Sequence, residues 1–131
     1  MSHFTTVATK ITNLVALKKA LEKLKWQYTE AEEGVVVRGW KGATTKAELS
    51  INMGKYDIGV VKQEDGTYTL VADWWGIEVT KGLTEQEVAT ELNREYAYQK
   101  VVLACEEQGY KLDEQTVAED GSITLSVSKW G

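Results

Sequence analysis

Tyr56-Asp57-Ile58-Gly59-Val60-Val61-Lys62-Gln63, Glu64-Asp65-Gly66 and Thr67-Tyr68-Thr69-Leu70-Val71-Ala72-Asp73-Trp74-Trp75 follow one another through the middle of the chain. Two stretches rich in β-branched and aromatic residues flank an Asp-Gly pair. That pair is a strong hairpin signal, because glycine tolerates the positive φ a tight turn demands. Upstream, Gly34-Val35-Val36-Val37-Arg38-Gly39 is short, β-branched and bounded by glycines, and Ala47-Glu48-Leu49-Ser50-Ile51-Asn52 alternates apolar with polar. Four such segments in a row predict an antiparallel meander.

On either side of the meander the period changes from two to nearly four. Leu14, Leu17, Leu21 and Leu24 are spaced to share one helical face behind Asn13, a residue suited to cap the first turn, so a helix is expected over 13–25. Thr84-Glu85-Gln86-Glu87 has the form of a capping box, and Gly109 is a suitable left-handed stop, so a second helix is expected over 84–108. A strand at Phe4–Lys10 precedes the first helix. Tyr110–Glu119 and Ser122–Trp130, joined at Asp120-Gly121, form a closing hairpin after the second. The order β-α-β-β-β-β-α-β-β predicts a single α+β domain over residues 1–131. In it, one mostly antiparallel twisted sheet carries two helices packed on one face.

Composition removes much chemistry. The 131 residues contain one His, one Cys and no Pro, but five Trp and six Tyr. One cysteine makes no internal disulfide, and one His with one Cys makes no ordinary zinc site. The opening residues lack a secretory pattern and no apolar run is long enough to span a membrane, which points to a reducing, cytoplasmic compartment. Residues 1–62 carry ten Lys/Arg and six Asp/Glu, whereas residues 63–131 carry five and fourteen. With a net charge of −5 and no dense basic cluster among Arg38, Lys41, Lys46, Lys55 and Lys62, nucleic acid is a disfavoured partner.

The catalytic motifs are missing. Gly34 and Gly39 have the separation of phosphate-loop glycines, but Trp40 stands where lysine is needed. Glu87, Glu91 and Glu95 line one helical edge without a histidine to support them, so they read as a solvated face. His3 lies near a chain end, and Cys105 inside a helix reads as a small packed hydrophobe. No catalytic residue, cofactor or metal is expected.

Aromatic residues carry more information. If the strand runs to Trp75, adjacent Trp74 and Trp75 point to opposite faces of the sheet, and one ring lies on the face the helices leave open, near Trp40. Large rings there suit a protein partner, since they offer contact area at small entropy cost. On helix 84–108, Val88, Ala89, Leu92, Tyr96 and Leu103 form one apolar stripe, while Tyr98, Val101, Val102 and Cys105 form a second, nearly opposite. The second stripe covers either the neighbouring helix or another subunit.

Four blocks, Met1-Ser2-His3-Phe4, Tyr56-Asp57-Ile58-Gly59, Leu70-Val71-Ala72-Asp73-Trp74-Trp75-Gly76 and Asp120-Gly121-Ser122-Ile123, together resemble the hypothetical chloroplast open reading frame 35 family. It is an uncharacterised group of algal plastids, cyanobacteria and cyanophages. Trp40 stands where the family pattern has tyrosine. The resemblance runs nearly end to end and implies a cyanobacterial cytoplasm or a stroma-like compartment, with no catalytic residues to carry over. Because His3 and Asp73 fall in its blocks, His3, Asp73 and an exposed Trp are expected to share a site. The expected function is a non-enzymatic accessory module that binds a protein partner or itself through His3, Trp40, Asp73, Trp74 and Trp75 and through Tyr98, Val101, Val102 and Cys105. The alternative is a small-ligand-binding regulatory domain with an aromatic-lined pocket between sheet and helices.

Overall fold

A computed structural model describes residues 3–117 and 123–129, and side chains as far as residue 109. In chain order the elements are β1 (Thr5–Ala8), α1 (Leu14–Leu24), β2 (Tyr28–Arg38), a 3-10 turn (Trp40–Gly42), β3 (Thr44–Asn52), β4 (Asp57–Lys62), β5 (Tyr68–Ala72), α2 (Trp74–Lys81), α3 (Glu85–Glu107), β6 (Tyr110–Val117) and β7 (Ile123–Lys129). The central hairpin closes as its sequence requires. Gln63 N donates to Thr67 O at 2.7 Å, Gly66 sits at φ +88°, and Asp65 accepts from both the amide and the hydroxyl of Thr67. Those bonds hold the Asp65 carboxyl below the usual carboxylate range. Val60 lies opposite Leu70 and Ile58 opposite Ala72. Antiparallel pairing extends the sheet to the order β1-β5-β4-β3-β2.

The α+β class therefore holds, with three refinements. A third helix, α2, begins where the β5 segment was expected to continue to Trp75, because Asp73 caps it: its side chain accepts from Gly76 N at 3.2 Å. β2 starts at Tyr28 rather than Gly34; its first half is polar and exposed, so alternation does not announce it. The terminal hairpin pairs β6 with β7 in a sheet of its own instead of joining the other five strands. Its Asp120-Gly121 turn lies outside the described residues.

One face of the sheet presents Leu49, Ile51, Ile58, Val60, Leu70 and Ala72, which pack against Leu17 and Leu21 of α1, Ile77 of α2, and Val88 and Leu92 of α3. This interface is filled by close-packed side chains, and burial of these groups is the main favourable term in folding. Tyr96 of α3 ties the layers together. Its buried hydroxyl accepts from Thr12 N at 3.1 Å and Asn13 N at 3.0 Å, just where Asn13 caps α1. Burial pushes the phenol up, but these donors together with the Lys100 charge bring it below the usual tyrosine value. Replacing Tyr96 by Phe is expected to cost about 2 kcal/mol in a urea unfolding experiment, since two amides lose their acceptor. A loss below about 0.5 kcal/mol would show that water replaces the hydroxyl.

The opposite face is not fully open. A Cβ on Gly59 would lie 2.7 Å from Val37 Cγ2, 2.8 Å from Val71 Cγ1 and 3.0 Å from Ala47 Cβ. Val37 and Ala47 belong to the distal half of the β2–β3 hairpin, beyond the register shift between Glu30 and Val35. That half folds back over β4 and β5 and closes a second, small apolar cluster there.

Candidate functional site: an aromatic corner

Where β2 ends and α2 begins, the chain builds a corner from aromatic rings and two buried carboxylates. Asp73 is only 2% exposed; its Oδ2 accepts from Trp40 N at 3.0 Å while its Oδ1 caps α2. One side chain thus joins the β2–β3 connection to the start of α2. Asp57, also buried, accepts from Arg38 N at 2.9 Å, Arg38 Nε at 2.8 Å and Arg38 Nη2 at 2.8 Å. A paired, multiply hydrogen-bonded geometry of this kind is what makes a buried carboxylate tolerable. The bond to Asp57 holds the Arg38 guanidinium still more firmly protonated than usual.

Rings fill the space between. Trp40 meets Trp75 edge-to-face with centroids 5.1 Å apart and planes at 89°, and lies 6.4 Å from Tyr56. This arrangement aims the positive edge of one ring at the negative face of the other. Gly76 admits the Tyr56 ring against the first turn of α2, since a Cβ there would come within 2.8 Å of it. Gly39 does the same for the ring of Phe4. Trp75 remains 47% exposed and Trp40 36%, and Val79, one turn along α2 from Trp75, is exposed as well. Lys41 adjoins Trp40 and Lys55 reaches over Tyr56, so the rim is cationic.

Of the residues singled out from sequence, Trp40, Asp73 and Trp75 come together here. Trp74 does not join the exposed group. It is buried, and its Nε1 donates to Thr5 O at 3.1 Å. The two tryptophans are not on opposite faces of a strand; they are successive residues of a helix, one turned inward and one outward. His3 is exposed and makes no hydrogen bond to Asp73, whose oxygens serve Trp40 and Gly76; its neighbour Phe4 is the residue that packs into the corner, against Gly39. Arg38, Tyr56, Asp57 and Val79 were missed. The available signals were the block that Tyr56 and Asp57 open and the pair Gly39 and Gly76, whose need for close approach only the packed rings explain.

The second stripe lies elsewhere, on α3, with Val101 44% exposed and Tyr98, Val102 and Cys105 half-buried. Val101 also lines a groove of about 1040 Å³ between the end of β1 and α3, formed by Ala8, Thr9 and Lys10 on one side and Asn93, Tyr96, Ala97, Lys100 and Ala104 on the other. Among the described residues Tyr96 is the one aromatic ring lining the groove, which sits at the sheet's edge rather than between sheet and helices. Glu95 of the carboxylate ladder bonds Gln99, and Glu87 completes the capping box with Thr84. Among the described residues no cluster of three or more His, Cys, Asp or Glu side chains could hold a metal ion, and no helix is long and apolar enough to cross a membrane.

Residues 20–126 match the family described as "Protein of unknown function (DUF1257)". Proteins named "Uncharacterized protein ycf35" from Cyanophora paradoxa, Guillardia theta and Pyropia yezoensis are 32%, 31% and 30% identical to the chain, each alignment covering 99% of it and 98% of the relative. No solved structure matches it. Similarity that extends over essentially the whole of both chains, with the family match spanning both the aromatic corner and α3, places this protein in the ycf35 (DUF1257) family.

Proposed function

We propose that the chain is a non-enzymatic accessory module that binds a protein partner through the aromatic corner, in a cyanobacterial cytoplasm or a stroma-like compartment. The observation that carries this reading is the Trp40–Trp75 pair: two indoles locked edge-to-face by a buried carboxylate, yet with much of both rings facing solvent. Tryptophan, tyrosine and arginine dominate binding hot spots, and a rigid ring loses little entropy on association. Lys41 and Lys55 around the rings favour a partner whose apolar anchor is surrounded by acidic residues. Both buried carboxylates are saturated with donors, so the corner holds a shape rather than a reactive group.

Affinity capture from a native extract tests this, comparing wild type with Trp75→Ala, Trp40→Ala and, as a control, Val15→Ala, an exposed apolar residue on α1. The tryptophan variants are expected to weaken capture of a wild-type-specific protein by about 30-fold while the melting temperature changes little. A partner held equally by all four proteins, or no wild-type-specific partner, would overturn the reading.

A further inference from the structure

Each buried carboxylate of the aromatic corner pins a turn that carries a lysine. Asp73 holds the turn after β2 by accepting from Trp40 N at 3.0 Å, and the turn closes on itself through Gly39 N to Ala43 O at 2.7 Å and Ala43 N to Trp40 O at 3.1 Å. Lys41 within it has φ +55° and ψ +38°, a left-handed conformation that a non-glycine residue keeps only where its surroundings impose it. Asp57 holds the β3–β4 turn through Arg38, whose Nη2 donates to Asp57 Oδ1 and to Gly54 O, both at 2.8 Å. Lys55 follows Gly54 there, with its Nζ 6.0 Å from the centre of the Tyr56 ring. Neither lysine enters the ion pairs found among the described residues, which join Lys18 to Glu30 and Arg38 to Asp57. On α2 the exposed Glu78 and Lys81 offset each other, so the net charge beside the rings is that of the two turns. Trp75, Val79 and Trp40 are 47%, 60% and 36% exposed, which leaves an apolar patch on the order of 300 Å². A stable dimer buries roughly 800 Å² on each partner, so this patch is too small for a second copy and suits one or two side chains of an extended segment.

Resting on the corner as the partner surface, we propose that its occupant is a short acidic linear segment of another protein. One apolar side chain of the segment seats against Trp40, Trp75 and Val79, and the carboxylates flanking it are read by Lys41 and Lys55, which makes these two lysines the specificity-determining residues. Fixing their backbones before binding lowers the ordering cost of association. Their charge then separates an acidic segment from a neutral or basic one with the same anchor. Single-stranded nucleic acid also stacks on indoles, but it needs a groove of cations along its backbone, and two lysines on a chain of net charge −5 do not make one.

Fluorescence polarisation on the full chain tests this with three labelled peptide libraries, in which a central Leu, Ile, Met, Phe or Trp is flanked by Asp and Glu, by Ser, or by Lys. Wild type is expected to prefer the acidic library to the serine library by about tenfold, a preference that shrinks as salt rises. Lys41→Gly keeps the left-handed turn while removing the charge. It and Lys55→Gln are each expected to reduce the preference by about threefold without lowering the melting temperature, and together to abolish it. Trp75→Ala is expected to weaken binding to every library. No binding to any library, equal binding of the acidic and serine libraries, a preference for lysine, or a preference intact in the double lysine variant would each overturn the proposal. So would tighter binding of oligo-dT, or a Trp75-dependent dimer in sedimentation equilibrium. Native capture separates this proposal from the broader reading. Capture lost in Trp75→Ala but intact in the double lysine variant removes the acidic segment and leaves the partner surface, whereas capture indifferent to both tryptophans removes the two together.

Discussion

Asp73→Ala is expected to lower the unfolding free energy by about 3 kcal/mol, a large share of the stability of an ordinary domain. Two contributions make up the loss. Removing the cap of α2 costs about 1 kcal/mol, because Gly76 N loses its acceptor. Leaving the Trp40 amide without its partner costs about 2 kcal/mol more, since the carboxylate that served it is almost fully enclosed and water does not readily take its place. Asp73→Asn retains one acceptor oxygen and is expected to lose about half as much. Urea unfolding of the three proteins measures the series. An alanine variant within about 1 kcal/mol of wild type would show that solvent satisfies both amides. The same substitution releases the 3-10 turn that carries Trp40, so the proposed partner surface should weaken with it. Stability and capture are then expected to fall together in Asp73→Ala and separately in Trp75→Ala.

Gly59→Val is expected to destabilise by about 3 kcal/mol or more, and Gly59→Ala by about 2 kcal/mol. In a strand interior, glycine is ordinarily the weaker choice, and alanine would gain a few tenths of a kcal/mol from reduced chain entropy. Here the sign reverses. A single methyl at this position meets Val37, Val71 and Ala47 at 3.0 Å or less, and these groups lie in a closed layer with little room to yield. Thermal unfolding of Gly59→Ala alone and with Val37→Ala supplies a double-mutant cycle. The second substitution opens space beside the new methyl, so the pair is expected to cost clearly less than the sum of the singles. Strict additivity would show that the distal β2–β3 hairpin does not rest on β4.

How far the residues announced these features depends on whether the cause was local. The β4–β5 turn, the Asn13 cap and the Thr84–Glu87 capping box were all legible because each is a contract among residues within a few positions of one another. The leucine spacing likewise placed Leu17 and Leu21 of α1 in the core. Asp73-Trp74-Trp75 was misread because its composition suits a strand as well as a helix. What starts α2 is a cap whose second oxygen is satisfied 33 residues earlier, at Trp40. The aromatic corner was half visible: Trp40, Asp73 and Trp75 could be named, but not Arg38 and Asp57, whose pairing spans 19 residues.

Local patterning by itself determined the α+β class, the antiparallel meander, two of the three helices among the described residues and the shortage of catalytic side chains. Those follow from periodicity, capping chemistry and residue inventory, which operate over one or two turns of chain. Only the tertiary structure decided which tryptophan is buried, that the β2–β3 hairpin doubles back over Gly59, and that the terminal hairpin stands outside the main sheet. Each of these depends on which distant groups meet. A buried carboxylate goes where its donors are, and a glycine's value is set by the ring or methyl group that presses on it.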